Sequence, residues 1–198
     1  VPFGVLAGAS SYLDFIFPCL SKIEWVYPGD TVPQLTAKQQ GTCTVSDINM
    51  CLHNATHIDA PSHYIPDGSS IADLPVELFF GKCTVISVKD DVVSADEVYE
   101  NTRFACERVL IKGNAVLNEF SATELIDKGV RLIGTECCSI GDDRTHEILL
   151  RHNIVIIEGL DLQKVKDGNY FLSASPLKIN GADGAPCRAI LIADYLFI

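Results

Sequence analysis

The sequence predicts an α/β protein in which short helices cover a mixed β-sheet. Segments such as Cys83–Val88 and Ile154–Glu158 are almost continuously apolar, which is typical of strands that are buried on both faces of a sheet. Between such segments the chain has short stretches that begin and end with helix-capping residues. Because buried strands and helices alternate, the pattern excludes a helical bundle and favours a sheet covered by helices.

The N-terminal part of the chain is predicted to contain loop and edge structure. Residues 26–34 include the turn dipeptide Pro28-Gly29 and are expected to form a loop. Leu35–Val45 is mostly polar and suits an edge strand or a hairpin. Residues 1–12 are small and apolar, and they are a possible N-terminal extension of a single domain that spans residues 1–198.

A short helix is predicted at Leu74–Phe80. Asp73 is a candidate N-cap, and Pro75 falls in the first turn, where its missing N–H costs little. Gly81 is a candidate C-cap and leads into the strand at Cys83–Val88.

The remaining elements repeat a pattern in which a capped helix is followed at once by an apolar strand. In order, the prediction gives a helix that starts at Ser94, a strand at Arg108–Lys112, a helix at Ser121–Lys128 closed by Gly129, a strand at Val130–Thr135, a helix at Thr145–Arg151, a strand at Ile154–Glu158 and a last strand at Ala189–Ala193.

Composition limits the classes of partner. The 198 residues are 47% hydrophobic and 21% charged, as expected of a globular domain with a substantial core. A formal net charge of −11 argues against a nucleic-acid surface and equally against an anionic membrane surface. No apolar run reaches the roughly 18 residues that a bilayer-spanning helix needs. A small neutral substrate therefore fits the charge better than a nucleic acid or a membrane.

The chain has eight cysteines but no Cys-x-x-Cys pair, so a thiolate zinc site has little support. Several of them lie in apolar runs, which favours free buried thiols in a reducing cytoplasm. The even count also permits disulfides in a secreted chain, and a targeting segment removed before Val1 stays an open alternative. The adjacent Cys137 and Cys138 are interpreted as loop or strand-end thiols rather than a redox pair.

The densest group of metal-ligating side chains is the segment His53–His63, which holds three of the five histidines. Imidazole and carboxylate groups bind borderline divalent metals. Pro61 cannot donate a backbone hydrogen bond and disfavours helical angles in the residue before it, so a strand that runs into a loop is expected. In such a strand His57 and Asp59 lie on the same side, and His53 converges on them if the chain bends.

A second candidate pair lies far downstream. His146 is on a predicted helix, and Glu158 is at the C-terminal end of a buried strand. A carboxylate at the end of an apolar strand is costly to bury unless it is paired or binds a metal. From the residues alone, a Glu158 that simply emerges into solvent is an equally good interpretation.

These residues resemble the cyclase-type metal-dependent hydrolases, the family that includes bacterial kynurenine formamidase and isatin hydrolase. The segment His53–His63 resembles the family run His-x-Gly-Thr-His-x-Asp-x-Pro-x-His, with Ala55 in place of the glycine. The match continues in order along nearly the whole chain from about Leu13. Its other segments are Leu13-Asp14, Pro18-Cys19-Leu20-Ser21, Tyr27-Pro28-Gly29-Asp30, Gly134-Thr135-Glu136 with Ser139, His146–Leu160 and Gly184-Ala185-Pro186-Cys187-Arg188.

The resemblance implies a swivelling β/β/α fold and one or two Zn²⁺ or Mn²⁺ ions per chain. It implies that Asp59 bridges two metals and that His63 is the catalytic acid/base rather than a ligand. It also implies a homodimer or homotetramer whose pocket is partly built by the neighbouring subunit. The metal ligands that it implies are His53, His57, Asp59, His146 and Glu158.

Three departures from the family pattern concern the site. Ala55 replaces a glycine, so a positive φ at this position would be strained. Glu136 stands where the family often has an aspartate. The loop between Ser139 and His146 is short and lies near the expected pocket. The first departure concerns the metal site, and the other two concern which substrate the pocket accepts.

The implied chemistry is hydrolysis of a small amide. A metal with open coordination positions lowers the pKa of bound water from 15.7 to roughly 7, which supplies hydroxide for attack on the carbonyl. A histidine has an ordinary pKa of about 6.5, so His63 is well suited to carry the proton to the leaving nitrogen. Thr56, Ser139 and Trp25 are candidate substrate contacts. For the two hydroxyls a turn bond to backbone is as good an interpretation, and for the indole core packing is the default.

The best single guess for the substrate is N-formylkynurenine, on the resemblance alone, with isatin-like lactams close behind. An alternative from another class is a non-catalytic small-molecule-binding or assembly protein that keeps the fold. A thiol-dependent enzyme that uses Cys137 or Cys138 is a weaker alternative.

Overall fold

The computed structural model describes residues 12–13, 26–103 and 105–193. These residues form a mixed nine-stranded sheet and a separate two-stranded hairpin, as the α/β prediction requires. In chain order the strands are β1 (Tyr12–Leu13), β2 (Gln34–Gln40), β3 (Cys43–Asn49), β4 (His57–Asp59), β5 (Phe80–Ser87), β6 (Arg108–Lys112), β7 (Leu132–Thr135), β8 (Val155–Glu158), β9 (Gly168–Ser173), β10 (Gly184–Pro186) and β11 (Ile190–Ile192). The α-helices are α1 (Ala95–Asn101), α2 (Glu119–Asp127) and α3 (Asp143–Arg151), and two 3-10 helices cover Pro61–His63 and Val76–Phe79.

The strand order in the large sheet is β1-β11-β9-β5-β6-β7-β8-β4-β10. Strands β5 to β8 are parallel neighbours in the middle of the sheet, and helices α1, α2 and α3 connect them in sequence. The strands on either side are antiparallel, with β9 against β5 and β4 against β8. This topology places β4 next to β8, the outermost strand of the parallel block. The C-terminal residues of β7 and β8 lie close to it.

The central strands are buried on both faces. In β6, Val109 and Leu110 have no exposed surface although they point to opposite faces of the sheet. Val109 belongs to a cluster that includes Leu125 of α2 and Leu149 of α3, whereas Leu110 belongs to a second cluster on the other face. The predicted pattern of strands covered on both sides is therefore confirmed.

Side-chain caps set where the helices begin. Ser94 accepts a hydrogen bond from the Glu97 N–H at the start of α1, as predicted. Asn118 forms a reciprocal capping box with Ser121, and Asp142 accepts from the Thr145 N–H. Because these caps precede the apolar residues, α2 and α3 each start two residues before the predicted position.

The predicted helix at Leu74–Phe80 is wrong in type and in extent. Pro75 rather than Asp73 precedes a single 3-10 turn, and Gly81 lies inside β5 instead of capping a helix. The Asp73 carboxylate accepts hydrogen bonds from the N–H and hydroxyl of Ser70. The Arg108 guanidinium binds the carbonyls of Glu77 and Leu78, so a buried arginine stabilises the end of this turn.

The predicted edge structure at Leu35–Val45 is a hairpin of β2 and β3. Its residues pair only with each other among the described strands, and almost all of them are exposed.

No helix in the described part of the chain is long and apolar enough to cross a bilayer. The seven cysteines in the same part of the chain are free thiols, and three of them, Cys83, Cys137 and Cys187, are buried.

Candidate active site

Strand β4 brings the histidine segment into contact with the distant carboxylate. It lies between β8 and β10, and its register pairs His57 with Glu158 and Asp59 with Gly184. His57 and Asp59 point to the same side of the strand, as predicted from their spacing. All three residues of β4 are buried. The expectation that the chain at Pro61 would not continue as a regular helix also holds, because only one 3-10 turn follows.

The turn before β4 packs tightly against the chain after β8. Ala55 has φ +59°, the left-handed conformation in which a non-glycine residue is strained. Gly159 has φ +68°, and a Cβ built on it would lie 2.8 Å from the Ala55 carbonyl oxygen, so this crossing needs glycine. Thr56 joins the two segments, since its hydroxyl donates to the Gly159 carbonyl at 2.7 Å. Thr56 is fully buried, and its hydroxyl makes a bond to backbone, which is the alternative interpretation given above.

The predicted metal ligands converge in one cluster. His57 Nε2 lies 3.3 Å from Asp59 Oδ1 and 3.4 Å from Glu158 Oε2. His53 Nδ1 lies 2.9 Å from Asp59 Oδ1. On the other side, His146 Nε2 lies 3.0 Å from Glu158 Oε1 and 3.9 Å from Asp59 Oδ2. The structure thus brings together all five residues for which the sequence predicted a role as ligands.

Backbone carbonyls orient two of the imidazoles. His57 Nδ1 lies 2.8 Å from the carbonyl oxygen of Ala55, and His146 Nδ1 lies 2.9 Å from that of Asp142. Because a carbonyl only accepts hydrogen bonds, each Nδ1 carries a proton and donates. The Nε2 atoms of both rings therefore face the carboxylates, which is the orientation that a metal ligand needs.

The electrostatics of the cluster show strong coupling between imidazoles and carboxylates. Burial lowers the pKa of His57, but hydrogen bonds and charges of Asp59 and Glu158 outweigh it and hold this pKa well above its ordinary value. Burial also lowers the pKa of His146, and Glu158 raises it by more, so the net shift is upward. Burial raises the pKa of Asp59, whereas His53 and His57 bring it below its usual range. The carboxylates of Asp59 and Glu158 thus stabilise positive charge within the cluster.

The donor set fits a divalent cation. Asp59 Oδ2 is buried and has no hydrogen-bond partner among the described residues, which is costly for a carboxylate oxygen. The ligand atoms of His53, His57 and Asp59 lie within 4.8 Å of one another, and so do those of Asp59, His146 and Glu158. Asp59 belongs to both groups. Oδ2 lies on the side of His146, so an ion held by Asp59, His146 and Glu158 could satisfy it. Three imidazoles with two carboxylates are typical ligands of zinc and similar metals.

His63 lies beside this cluster rather than inside it. Its ring stacks on His53 with centroids 4.1 Å apart, and its centroid is 6.5 Å from that of His146. Its Nδ1 lies 3.1 Å from Oδ2 of Asp183. Sequence reasoning did not identify Asp183, although this aspartate comes directly before the matched segment that begins at Gly184.

An open cavity of about 1250 Å³ lies above the cluster. His53, His57, His63, His146 and Glu158 all line it. Tyr64 lines it as well, with its ring stacked on His146 at 4.8 Å and its hydroxyl donating to Asp143. Burial, followed by the hydrogen bond and charge of Asp143, raises the pKa of the Tyr64 hydroxyl, so it is a neutral donor near pH 7.

The other predicted substrate contacts are placed as follows. Ser139 lines the cavity, and its hydroxyl donates to the Gly141 carbonyl at 2.8 Å, which is the turn bond given above as its alternative interpretation. Trp25 lies outside the described residues, as does Cys19. Glu136 accepts from the N–H groups of Gly113 and Leu162, so it connects two loops beside the cavity.

Together, the mixed sheet and the buried cluster define an α/β protein with a candidate metal centre that opens on a cavity. A family model described as "Putative cyclase" matches residues 13–142, and the chain belongs to this cyclase family. Kynurenine formamidase from Bacillus cytotoxicus is 35% identical to the chain over 205 residues, which cover 92% of the chain and 98% of the relative.

Solved structures agree with this assignment. A structure described as a predicted metal-dependent hydrolase from Bacillus stearothermophilus is 31% identical, with a TM-score of 0.72, and the alignment covers 84% of this chain and 91% of that one. Isatin hydrolase A from Labrenzia aggregata has a TM-score of 0.78 at 19% identity, covering 91% of this chain and 93% of that one. The second likeness concerns the fold alone. The predicted family and its fold are therefore confirmed.

Proposed function

We propose that this protein is a metal-dependent hydrolase that cleaves the C–N bond of a small amide, with an N-formyl arylamine such as N-formylkynurenine as the substrate. The observation that carries the proposal is the buried Asp59 carboxylate, which belongs to both candidate ligand groups and has one oxygen without a partner among the described residues. The similarity to kynurenine formamidase over 92% of the chain supports the same class of reaction.

In this proposal the five clustered residues hold one or two ions of zinc or manganese. When bound, such an ion supplies Lewis acidity, which lowers the pKa of water and polarises a carbonyl group. The ligands are His53, His57, Asp59, His146 and Glu158.

His63 acts as the proton carrier. Its Nδ1 faces Asp183, so its Nε2 is the atom available to take a proton from the attacking water and to deliver it to the leaving nitrogen. Partial exposure gives the ring access to a molecule in the cavity, since 28% of its side chain is accessible. The ring also stays close to the ligand cluster because it stacks on His53.

The cavity has ample room for a small aromatic amide. Its volume of about 1250 Å³ exceeds the range of about 300–1,000 Å³ that is common for small-molecule sites, and it is open to solvent. Tyr64 offers an aromatic ring and a neutral hydroxyl beside the cluster. An isatin-like lactam is the alternative substrate, since it has the same reacting group in a ring.

The test is metal analysis of the purified protein, combined with a hydrolysis screen over formamides, lactams and lactones. We expect zinc or manganese in the protein as isolated, loss of turnover with a chelator, and loss of both metal and turnover in His57→Ala. His63→Ala should keep the metal and lose turnover by about 10²–10⁴-fold. Full activity in a metal-free preparation would rule out this mechanism.

The same screen decides between the proposal and its alternatives. A non-catalytic binding protein would bind ligand without turnover in every arm of the screen. A thiol-dependent enzyme that uses Cys137 is disfavoured because burial raises the pKa of this thiol, which donates to the Ala115 carbonyl at 3.3 Å. Cys138 is exposed and lines the cavity, and unchanged turnover after alkylation would exclude a role for its thiol. We further propose a cytoplasmic homodimer or homotetramer, which sedimentation of the purified protein would test.

A further inference from the structure

One carboxylate oxygen lies within hydrogen-bond distance of two histidines of the site. Oδ2 of Asp183 lies 3.0 Å from His53 Nε2 and 3.1 Å from His63 Nδ1. A carboxylate accepts hydrogen bonds and donates none when it is ionised. An aspartate side chain is ordinarily ionised near neutral pH. Each imidazole therefore presents an N–H to this oxygen.

The backbone holds Asp183 rigidly in this place. Its carbonyl accepts from the Ala60 N–H at 2.9 Å, immediately after β4, and β10 begins at the next residue. That residue, Gly184, leaves room for the imidazole, because a Cβ built on it would lie 2.6 Å from His53 Cε1. The same strand pair thus fixes the carboxylate and the ring that it contacts.

The position of the protons decides what each ring can do. In His63, a proton on Nδ1 leaves the lone pair on Nε2, the nitrogen that the proposed reaction uses. In His53, a proton on Nε2 leaves Nδ1 as the atom that would bind a metal, in place of the hydrogen bond that it now makes to Asp59 Oδ1 at 2.9 Å. Because the two rings stack at 4.1 Å with an interplanar angle of 25°, a single carboxylate at their edge can orient both.

We propose that Asp183 is a shared positioning residue, which fixes the tautomers of the ligand His53 and of the acid/base His63 through one oxygen atom. The assignment rests on the proposed function only for the role of His63 in turnover. The tautomers themselves, and the orientation of His53, are properties of the folded protein and can be measured without a substrate.

The experiment compares Asp183→Ala and Asp183→Asn with the wild-type protein and with Asp96→Asn. Asp96 is an exposed carboxylate in the first turn of α1, so its replacement removes the same charge away from the site. Thermal unfolding first establishes that each variant is folded. Long-range ¹H–¹⁵N NMR of the histidine rings in metal-free protein, above the pKa of the rings, then reports the tautomers.

We expect the wild-type protein and Asp96→Asn to show His63 in the single tautomer that donates to Asp183. Asp183→Ala should show a mixture of tautomers for His63. Its Zn²⁺ dissociation constant, measured by competition with a chelator, should rise by about 10–100-fold, as is usual when a partner of a ligating histidine is lost. On an N-formyl arylamine with saturating zinc, kcat should fall much more than KM changes. Asp183→Asn should lie between the two, since its amide oxygen can still accept from both rings but carries no full negative charge.

Two results would overturn the assignment. One is an unchanged His63 tautomer in a folded Asp183→Ala protein. The other is a Zn²⁺ stoichiometry that falls by one ion in Asp183→Asn with unchanged affinity of the remaining sites, because His53, His63 and Asp183 would then form a cation site of their own. If the wild-type protein cleaves no formamide, the proposed function fails, while the tautomers and the zinc affinity still test the role of Asp183.

Discussion

His57 and Glu158 lie directly opposite each other in the antiparallel pair of β4 and β8, with His57 Nε2 3.4 Å from Glu158 Oε2. This register joins the histidine segment to a carboxylate that lies far along the chain. A shift of one residue would turn His57 to the other face of the sheet. The metal cluster therefore depends on strand pairing as much as on the spacing of the histidines.

Replacement of Glu158 by glutamine should weaken metal binding without unfolding the protein. The amide oxygen of glutamine can still accept from the Ile140 N–H, which now donates to Glu158 at 2.7 Å, but the negative charge is lost. We expect the Zn²⁺ dissociation constant to rise by more than about tenfold. Loss of a residue that only hydrogen-bonds to a metal ligand already weakens metal binding by about 10–100-fold, and Glu158 is a proposed ligand itself. Competition with a chelator measures the change. Glu100→Gln, an exposed change on α1, should have no effect, and equal affinities in both variants would exclude Glu158 as a ligand.

The metal-free protein should be most stable at mildly acidic pH. The pKa values of His57 and His146 are raised in the folded state, so their contribution to stability is complete below the ordinary histidine pKa of about 6.5 and is lost as the pH rises through the folded values. The pKa of Asp59 is lowered, so its contribution is present above the ordinary value of about 3.9 and is lost as the pH falls through the folded value. The maximum should therefore lie between about 3.9 and 6.5.

Denaturant unfolding of the metal-free protein at a series of pH values tests this window. Added zinc should reverse the trend above pH 6.5, since metal ligands must be neutral imidazoles and binding then releases protons. Calorimetry in buffers of different ionisation enthalpy counts those protons. A metal-free stability that rises steadily from pH 6 to pH 8 would contradict the coupling of the histidines to Asp59 and Glu158.

The sequence predicts the parallel strands well because their burial is local and two-sided. The bounds of β6, Arg108–Lys112, are as predicted, whereas β9 was missed because Gly168–Ser173 mixes glycine and polar residues with apolar ones. The ligands of the cluster could be named from the histidine segment and the family resemblance. Asp183 could not, since its role depends on the pairing of β10 with β4, which no local pattern encodes.

Thr56 should contribute to stability rather than to substrate binding. Thr56→Val leaves the Gly159 carbonyl without the hydroxyl that now donates to it at 2.7 Å, and an unsatisfied buried polar group costs about 1–3 kcal/mol. Thr56→Ser keeps this donor and should lose less. Denaturant unfolding gives the free energies, and Thr44→Val on the exposed hairpin controls for loss of a surface hydroxyl. A raised KM with unchanged stability in Thr56→Val would instead support the predicted substrate contact.

Ala55 should be a site of backbone strain that glycine relieves. A left-handed conformation costs a non-glycine residue roughly 1–2 kcal/mol. Glycine avoids this cost, but it makes the unfolded chain more flexible, which lowers the free energy of unfolding by about 0.4–1 kcal/mol. Ala55→Gly should therefore raise the free energy of unfolding by between zero and about 1.6 kcal/mol. The carbonyl that accepts from His57 Nδ1 stays in place, so zinc affinity should not change.

Asp67 provides the matched control for Ala55→Gly. It also has a positive φ, of 61°, but aspartate adopts this conformation at lower cost than alanine does. Asp67→Gly should consequently gain less stability than Ala55→Gly in the same denaturant unfolding experiment. If Ala55→Gly loses more than about 1 kcal/mol, the alanine methyl contributes packing that outweighs its strain. A drop in zinc affinity in the same variant would show that a rigid residue at position 55 is needed to orient His57.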